Sequence, residues 1–319
     1  MKRWLKITLL VLAFALLGAS GYAYYLYHSV KQVMEQTYEP IRKQPASIPK
    51  LRPKEPSIEQ KDPISILFLG IDQRRGDAGR SDTIMVITVN PNSHKLLMFH
   101  IPRDTRTHIS GLQKEDKINH AYAFGGVEMA VNTVEAFLQI PIDYYVKVNM
   151  NEFVKIIDEL GGVDVENKFA FSYEGHSFAV GKLHLTGEEA LAYSRMRYDD
   201  PKGDLGRNER QRQVIRSLMD KGSQAEVLTK AEKIFAHVQS SVKTNITFEE
   251  LQQLALDYRS SIQDVDILEI KGESVMIDNI YYYAVDVAER KRITQRLQDS
   301  LGIPTPKKSG DKSPRSALE

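Results

Sequence analysis

The chain has 319 residues with 43 Lys+Arg against 42 Asp+Glu, a net charge of +1, so no global charge draws it to nucleic acid or a polyanion and any anion site has to be local. Having no cysteine, it has no disulfide framework, thiol nucleophile, Cys-ligated zinc, iron–sulfur cluster or lipid-modified cysteine, and its fold rests on core packing. Setting aside an apolar start, a Pro-bearing stretch and a polar tail leaves residues 62–302, nearer one large domain than two and ample for a hydrophobic core.

Ile7 to Tyr27 are 21 consecutive uncharged positions rich in Leu, Ala, Val and Phe, ending in Tyr22, Tyr24, Tyr25 and Tyr27. That length spans a bilayer. Lys2, Arg3 and Lys6 precede it without an acidic partner. The asymmetry predicts a cytoplasmic N-terminus (1–6), one transmembrane helix (7–27) in the cell membrane, and an extracytoplasmic remainder, with the tyrosines at the outer interface. The alternative is a cleaved signal peptide with Leu17-Gly18-Ala19 as a passable site, but the apolar stretch runs on beyond it. Residues 28–61 carry Pro40, Pro45, Pro49, Pro53 and Pro56 among charges of both signs and read as a semi-extended spacer. The tail 303–319 is too polar to order itself.

ISILFLGI (64–71) and MVITVN (85–90) read as buried strands, and KLLMFHI (95–101) follows the turn signal Pro91-Asn92-Ser93. VEMAVNTVEAFLQI (127–140) places Val127, Ala130, Val131, Val134, Phe137 and Leu138 on one helical face, stopped by Pro141. DYYVKVN (143–149) is the next strand and MNEFVKIIDEL (150–160) the next helix, closed by Gly161-Gly162. A short strand at Val163, a polar hairpin through Glu174-Gly175-His176, and helices near Glu188–Arg195 and about Asn208–Lys221 follow. Thr247-Phe248-Glu249-Glu250 fits a capping box, VDILEI (265–270) a strand, and VDVAERKRITQRL (285–297) a closing helix. The mixed order predicts one α/β domain with a central mixed β-sheet flanked by helices.

Three clusters carry candidate chemistry. In LGIDQRRGDAGRSDT (69–83) a strand ends at Asp72 and a short loop returns to Asp82, bringing two carboxylates to one sheet edge beside Arg74, Arg75 and Arg80. Hard oxygens in this arrangement suit Mg²⁺ shared with substrate phosphates; the bland alternative is an exposed charged hairpin. FHIPRDTRTHI (99–109) delivers Arg103, Asp104 and Arg106 at a strand end, where Arg103 either forks onto phosphate oxygens or pairs with an acid. Lys117 and His120 of KINHAYAFGG could line the same mouth, although a lone His is more often a surface or packed residue. In YSRMRYDDPKGDLGRNERQRQVIR (193–216), Arg195 and Arg197 leave a helix, Asp199, Asp200 and Asp204 lie in the loop, and Arg207, Arg210, Gln211 and Arg212 open the next helix. Arginines at a helix N-terminus oppose its dipole unless an anion uses both; the alternative is neutralisation by Asp199, Asp200, Asp204 and Glu209. No serine-nucleophile elbow, P-loop, HExxH or Rossmann glycine fingerprint is present.

These segments, in this order over most of residues 62–222, resemble the LytR-CpsA-Psr family of bacterial envelope proteins, in its LytR-like branch. The features that match are the N-terminal apolar segment, LGID followed by GRSDT, IPRDT, KINHAYAFGG, LTGEEALAYSRMRY and GDLGRNERQRQ. The resemblance implies a phosphotransferase of Gram-positive envelopes. Its donor is a glycopolymer such as wall teichoic acid on a polyprenyl (undecaprenyl) diphosphate carrier, its acceptor a muramic acid hydroxyl of peptidoglycan, and its released product polyprenyl phosphate. By motif match, Asp72 and Asp82 would hold Mg²⁺, or Mn²⁺, while Arg80, Arg103, Lys117, Arg195, Arg197, Arg207, Arg210 and Gln211 would surround the diphosphate. Arg103, Asp104, Asp204 and Arg207 are the candidates for chemistry, with Asp104 and Asp204 either bases or only orienting arginines. The family's apolar tunnel for the polyprenyl chain has two available faces, Val127–Leu138 and Phe153–Leu160, which equally fit ordinary core. A lipid-diphosphate hydrolase and a non-catalytic polyprenyl-phosphate-binding regulator are the rival readings; nucleic acid is not an expected partner.

Overall fold

The computed structural model describes residues 2–41, 52, 54–72, 79–197, 199–222, 230–262 and 265–303. After a long helix, α1 (Lys2–Thr37), come three hairpin-connected antiparallel strands: β1 (Ile64–Asp72), β2 (Arg80–Asn90) and β3 (Lys95–Ile101). The alternating or continuous apolar runs predicted there are strands because both sheet faces are covered. A small hairpin of β4 (Arg106–His108) and β5 (Glu115–Lys117) leads into α2 (His120–Leu138). This helix starts earlier than its periodicity indicated, but Gly125 and Gly126 are non-helical, so the apolar face beginning at Val127 belongs to its own straight segment. Next, β6 (Tyr144–Asn149) lies parallel to β1 and feeds directly into α3 (Met150–Glu159).

A subdomain of short strands follows: β7 (Val163–Asn167), β8 (Phe171–Tyr173), β9 (His176–Phe178) and β10 (Gly181–Leu185). The polar hairpin β8–β9 turns at Glu174 and Gly175, both with positive φ. Then come α4 (Gly187–Arg195), α5 (Asp204–Gly222), α6 (Ala231–Ser241), β11 (Val242–Thr244) and α7 (Phe248–Asp257). The chain closes with β12 (Val265–Leu268), β13 (Glu273–Ile277), β14 (Ile280–Ala284) and α8 (Val287–Ser300). Both Thr-x-x-Glu sequences form complete capping boxes, Thr186 with Glu189 and Thr247 with Glu250.

The central sheet has six strands in the order β11-β6-β1-β2-β3-β12, with β6–β1 and β3–β12 parallel and the remaining pairs antiparallel. One face, through Leu67, Leu69, Val86, Leu97 and Phe99, packs on Val131, Val134 and Phe137 of α2 and on Ile293 and Leu297 of α8. The opposite face, through Ile64, Met85, Val89, Leu96 and Met98, meets Ile246, Leu251 and Leu254 around α7, and Ile215 of α5. A third apolar cluster joins α3, α4 and α5 to the β7–β10 strands through Ile157, Val163, Phe171, Phe178, Tyr193 and Val214.

Residues 28–37, read from composition as semi-extended, are helical, and the C-terminal part of α1 is part of the domain. Val33 and Thr37 are buried, Tyr27 stacks edge-on against Phe248, and Tyr38 bridges to Thr244 of β11. Composition missed this because few apolar residues suffice when a neighbouring helix covers them. Among the described residues no helix is long and apolar enough to cross a membrane. That statement does not cover the side chains of Leu5, Leu9, Val11 and Ala15, which lie outside the described residues, as do residues 304–319 of the tail.

Candidate functional site

The strand directions bring the predicted segments together. The end of β1, the start of β2 and the ends of β3 and β6 all lie at one edge of the sheet, where α/β folds bind ligands. Asp72 closes β1 opposite the exposed Arg80 of β2. The ladder then shifts: Ile71 pairs with Ser81 and Gly70 with Thr83, leaving Asp82 as a bulged residue. A bulge re-aims a side chain, and here Asp82 accepts from Arg103 Nη1 at 2.7 Å and Asn119 Nδ2 at 3.4 Å. Arg74 and Arg75 lie outside the described residues.

The KINH segment runs beside the strand-end loop, with Ile118 N–H donating to Thr105 O (2.8 Å) and Asn119 N–H to Arg103 O (3.3 Å). Lys117 thereby reaches Asp104 at 2.9 Å, and Arg197, just beyond α4, donates to the other Asp104 oxygen at 2.9 Å. Burial alone would raise the Asp104 pKa, but the Lys117 hydrogen bond and the charges of Lys117, Arg197 and Arg103 outweigh it and hold the carboxyl below its ordinary value. A carboxylate so held is a weak proton acceptor, and its geometry is that of a group orienting two cations. Arg195, the last residue of α4, donates to Asp72 (2.9 Å) and Asn151 (3.2 Å). Thus Asp72, Asp82 and Asp104 each hold one or more of the predicted cations at the sheet edge. His120 pairs with Asp116 at 2.9 Å, the outcome usual for a lone histidine.

Arg210 stands apart from these cations. Expected around a diphosphate, it is buried in the α4–α5 connection, with Nη1 on Asp200, Nε on Tyr193 O (2.8 Å) and Nη2 on Met196 O. Its guanidinium also lies 5.4 Å from the Phe171 ring centroid and 5.7 Å from that of Tyr193. Every nitrogen is engaged within the protein, so Arg210 shapes the loop that presents Arg195 and Arg197. Gly206 permits this, since any Cβ there would overlap the Asp200 carboxylate. Among the described residues neutralisation by the loop is seen for Arg210, whereas Glu209 pairs with Lys202 and Lys168, and Asp199 is exposed. Arg207 and Gln211 are buried on α5, and Asp204 opens that helix with its side chain outside the described residues.

The β13–β14 hairpin, which carried no readable motif, folds over this site. Tyr283 N–H donates to Asp104 O at 2.9 Å. Tyr281 lies under Arg197 with 5.1 Å between guanidinium and ring centroid, and the Lys117 ammonium is 5.9 Å from both the Tyr281 and Tyr282 rings. The available signal was Asp278-Asn279 between apolar residues: both have positive φ, and Ile277 pairs with Ile280, the pattern of a two-residue hairpin turn.

Two spaces lie on the α5 side of the sheet, and the residues that line them include none of the sheet-edge cations and carboxylates. One is small, between Phe68, Met150, Phe153, Val154, Leu191 and Ile215. The other is a cleft of about 1150 Å³ with apolar residues Leu96, Met98, Val265 and Ile267 on one side and charges of both signs around it, among them Glu209, Arg212, Arg216, Asp220, Arg259 and Glu269. Phe153 of the second predicted lipid face thus borders a cavity, whereas Val127–Leu138 is core.

Among the described residues no three His, Asp or Glu side chains converge as a metal cage. Asp72 and Asp82 nevertheless fit a hard divalent ion, since Mg²⁺ takes one or two carboxylates and completes its octahedron with water and phosphate oxygens.

A model of the LytR_cpsA_psr family matches residues 24–299. The chain is 46% identical over 301 residues to the "polyisoprenyl-teichoic acid--peptidoglycan teichoic acid transferase TagU" of Bacillus subtilis (strain 168), covering 94% of this chain and 97% of that one. The crystal structure of B. subtilis TagU superposes with a TM-score of 0.61 at 44% identity, covering 76% of this chain and 97% of that one. A structure of TagT bound to LIIa-WTA superposes with a TM-score of 0.68 at 29% identity, covering 83% of this chain and 99% of that one.

Proposed function

The chain belongs to the LytR_cpsA_psr family, and from that premise we propose that it is a membrane-anchored phosphotransferase. It moves a glycopolymer such as wall teichoic acid from a polyprenyl diphosphate carrier to a peptidoglycan muramic acid hydroxyl. The name of the TagU relative carries this donor and acceptor class. The observation on this chain that supports the reading most is the convergence of Arg103, Lys117, Arg195 and Arg197 on one sheet edge. Their acidic partners are Asp72, Asp82, Asp104 and, at 3.7 Å from Arg195, Glu174; with the exposed Arg80 five cations face four carboxylates, which leaves room for a diphosphate.

In this mechanism the acceptor hydroxyl oxygen bonds to the phosphorus nearest the polymer as the bond from that phosphorus to the bridging oxygen breaks. Polyprenyl phosphate departs, its phosphate taking up the hydroxyl proton. Arg103 and Arg195, each resting on a carboxylate, are positioned to take up charge growing on phosphate oxygens, and Asp104 fixes Lys117 and Arg197 before substrate arrives. Cations held in place need no reorganisation as the reaction proceeds, which is where most of the acceleration arises. Asp72 and Asp82 would hold Mg²⁺ or Mn²⁺, which supplies further charge neutralisation at the diphosphate.

The anchor is part of the same proposal. On α1, Ile7, Leu10, Phe14, Leu16 and Leu17 are each at least 60% exposed, as suits side chains that face lipid. The helix continues unbroken to Thr37, and residues 28–33 rise only about 9 Å. The catalytic domain would therefore sit at the outer membrane surface, within reach of a diphosphate headgroup.

The test uses the full chain in nanodiscs with Mg²⁺, a short polyprenyl-diphosphate saccharide and a peptidoglycan oligomer, with products identified by mass spectrometry. A phosphodiester-linked adduct, absent with Asp82→Ala, is the expected result. Saccharide phosphate released without adduct would replace the transferase reading with a hydrolase; intact bound lipid would replace it with a binding protein.

A further inference from the structure

The buried polar atoms that make no hydrogen bond among the described residues are concentrated in one place. They include both ring nitrogens of His100, Arg103 Nε, Asn208 Oδ1, Gln211 Oε1 and Arg212 Nε, all from the end of β3 or the first turns of α5, together with Asn119 Oδ1 beside Asp82. Each such atom costs stability, so a cluster of them in an otherwise satisfied fold calls for a ligand. Arg103 Nε, Arg212 Nε and one N–H of a neutral imidazole are donors that an ionised phosphate, offering acceptors alone, can meet; the amide oxygens of Asn119, Asn208 and Gln211 and the second ring nitrogen are acceptors that it does not.

His100 lines neither apolar space itself, but residues next to its ring do, Arg212 the large cleft and Gln211 the small cavity. Met98, two residues earlier on the same strand face, also lines the large cleft. Burial, then the charges of Arg212 and Arg207, push the His100 pKa down to about 3, with the Gln211 side chain acting in the opposite sense. The ring is consequently neutral at any working pH, carrying one N–H donor and one acceptor.

Resting on the transferase reading, we propose that His100 is a positioning residue which donates a ring N–H to the carrier-side phosphate of the lipid diphosphate, at the point where the prenyl chain enters the apolar space. Arg207 and Arg212 flank the ring and keep it from competing for a proton, while Arg103, three residues along, addresses the polymer-side phosphate.

Three full-chain variants test this. His100→Phe keeps a ring of similar shape and removes the polar atoms, so it should melt at or above the wild-type temperature while transfer kcat/KM falls roughly 10- to 100-fold. His100→Asn and His100→Gln return an amide N–H near one ring nitrogen or the other, and one of them should recover part of the loss. A folded His100→Phe protein with wild-type transfer would overturn the proposal.

A second readout is made on the wild type: ¹⁵N-histidine spectra titrated with geranyl diphosphate, the His100 signal being assigned by its loss in folded His100→Gln. A shifted ring-nitrogen signal is expected. Saturable binding that Arg103→Ala abolishes but that leaves the His100 nitrogens unmoved would sink the assignment, and absence of any binding would sink it together with the transferase reading. If the ring responds but no polymer is transferred, the transferase reading alone falls and the diphosphate contact stands.

Discussion

Along β3, Leu97, Phe99 and Ile101 look into the layer beneath α2 and α8, whereas Leu96, Met98 and His100 look toward α5 and α7. The first layer is apolar and closed. The second holds two cavities and most of the buried polar atoms that lack a hydrogen bond among the described residues. The same seven-residue strand thus serves stability on one face and a site on the other, and alternation of side chains makes the separation possible. A cavity and unmet polar atoms both cost folding free energy, which the closed face offsets.

Substitutions on the two faces should therefore separate in kind. Phe99→Ala, in the closed layer, should cost about 3–5 kcal/mol, read as a lower denaturant midpoint. A loss below about 1 kcal/mol would mean that this face does not carry the fold. Arg210→Ala sits between the classes: it strands the buried Asp200 carboxylate and should also cost about 3–5 kcal/mol, so its lost transfer would follow unfolding. Transfer lost by a fully stable Arg210→Ala protein would return that residue to the diphosphate.

At the sheet edge the pattern should invert. Arg103→Ala should lower kcat by roughly 10²- to 10³-fold. Its part-exposed pair with Asp82 contributes at most about 1 kcal/mol to folding, so melting should be nearly unchanged. Equal losses of stability and rate would make Arg103 structural.

Asp104 gives a pH test with a definite sign. Burial opposes its ionisation, but Lys117, Arg197 and Arg103 hold its folded pKa below the ordinary value. Its stabilising contribution is thus complete above the unfolded carboxyl pKa of about 3.9 and is lost as pH falls through the lower folded value. The stability gap between wild type and Asp104→Asn should be constant from neutral pH to about pH 5 and shrink below about pH 4. A gap that widens in acid would reverse the assignment. The smallest effect belongs to the hairpin: Tyr281→Leu removes a half-exposed ring from Arg197 and should change transfer by about two- to five-fold, in keeping with about 0.5–1 kcal/mol.

Much of this was legible before any coordinates. The strands at 64–71 and 95–101 carry their burial in consecutive residues, and both Thr-x-x-Glu caps are complete within four positions. Asp72, Asp82, Arg103, Lys117, Arg195 and Arg197 stand together at the sheet edge where the segments placed them. Three things were not legible. Residues 28–37 looked like a spacer because their partners, α6 and β11, lie far along the chain. His100 read as one more residue of a buried strand, with nothing local to mark the arginines across from it. The β13–β14 hairpin went unread, although Asp278-Asn279 offered a turn signal, and nothing local marks the Asp104 segment on which it docks.

Residue type and spacing therefore determined the elements, their caps and the set of charges available to a site, since these depend on neighbours within a turn or a strand pair. Which charges remain available was decided only in three dimensions. Arg197 and Arg210 belong to one arginine-rich segment, yet the fold of the α4–α5 loop closes Asp200, Tyr193 O and Met196 O around Arg210 and leaves Arg197 at the sheet edge on Asp104. A guanidinium goes to whichever acceptors the folded chain brings within hydrogen-bond reach, and that reach is set by packing between distant segments.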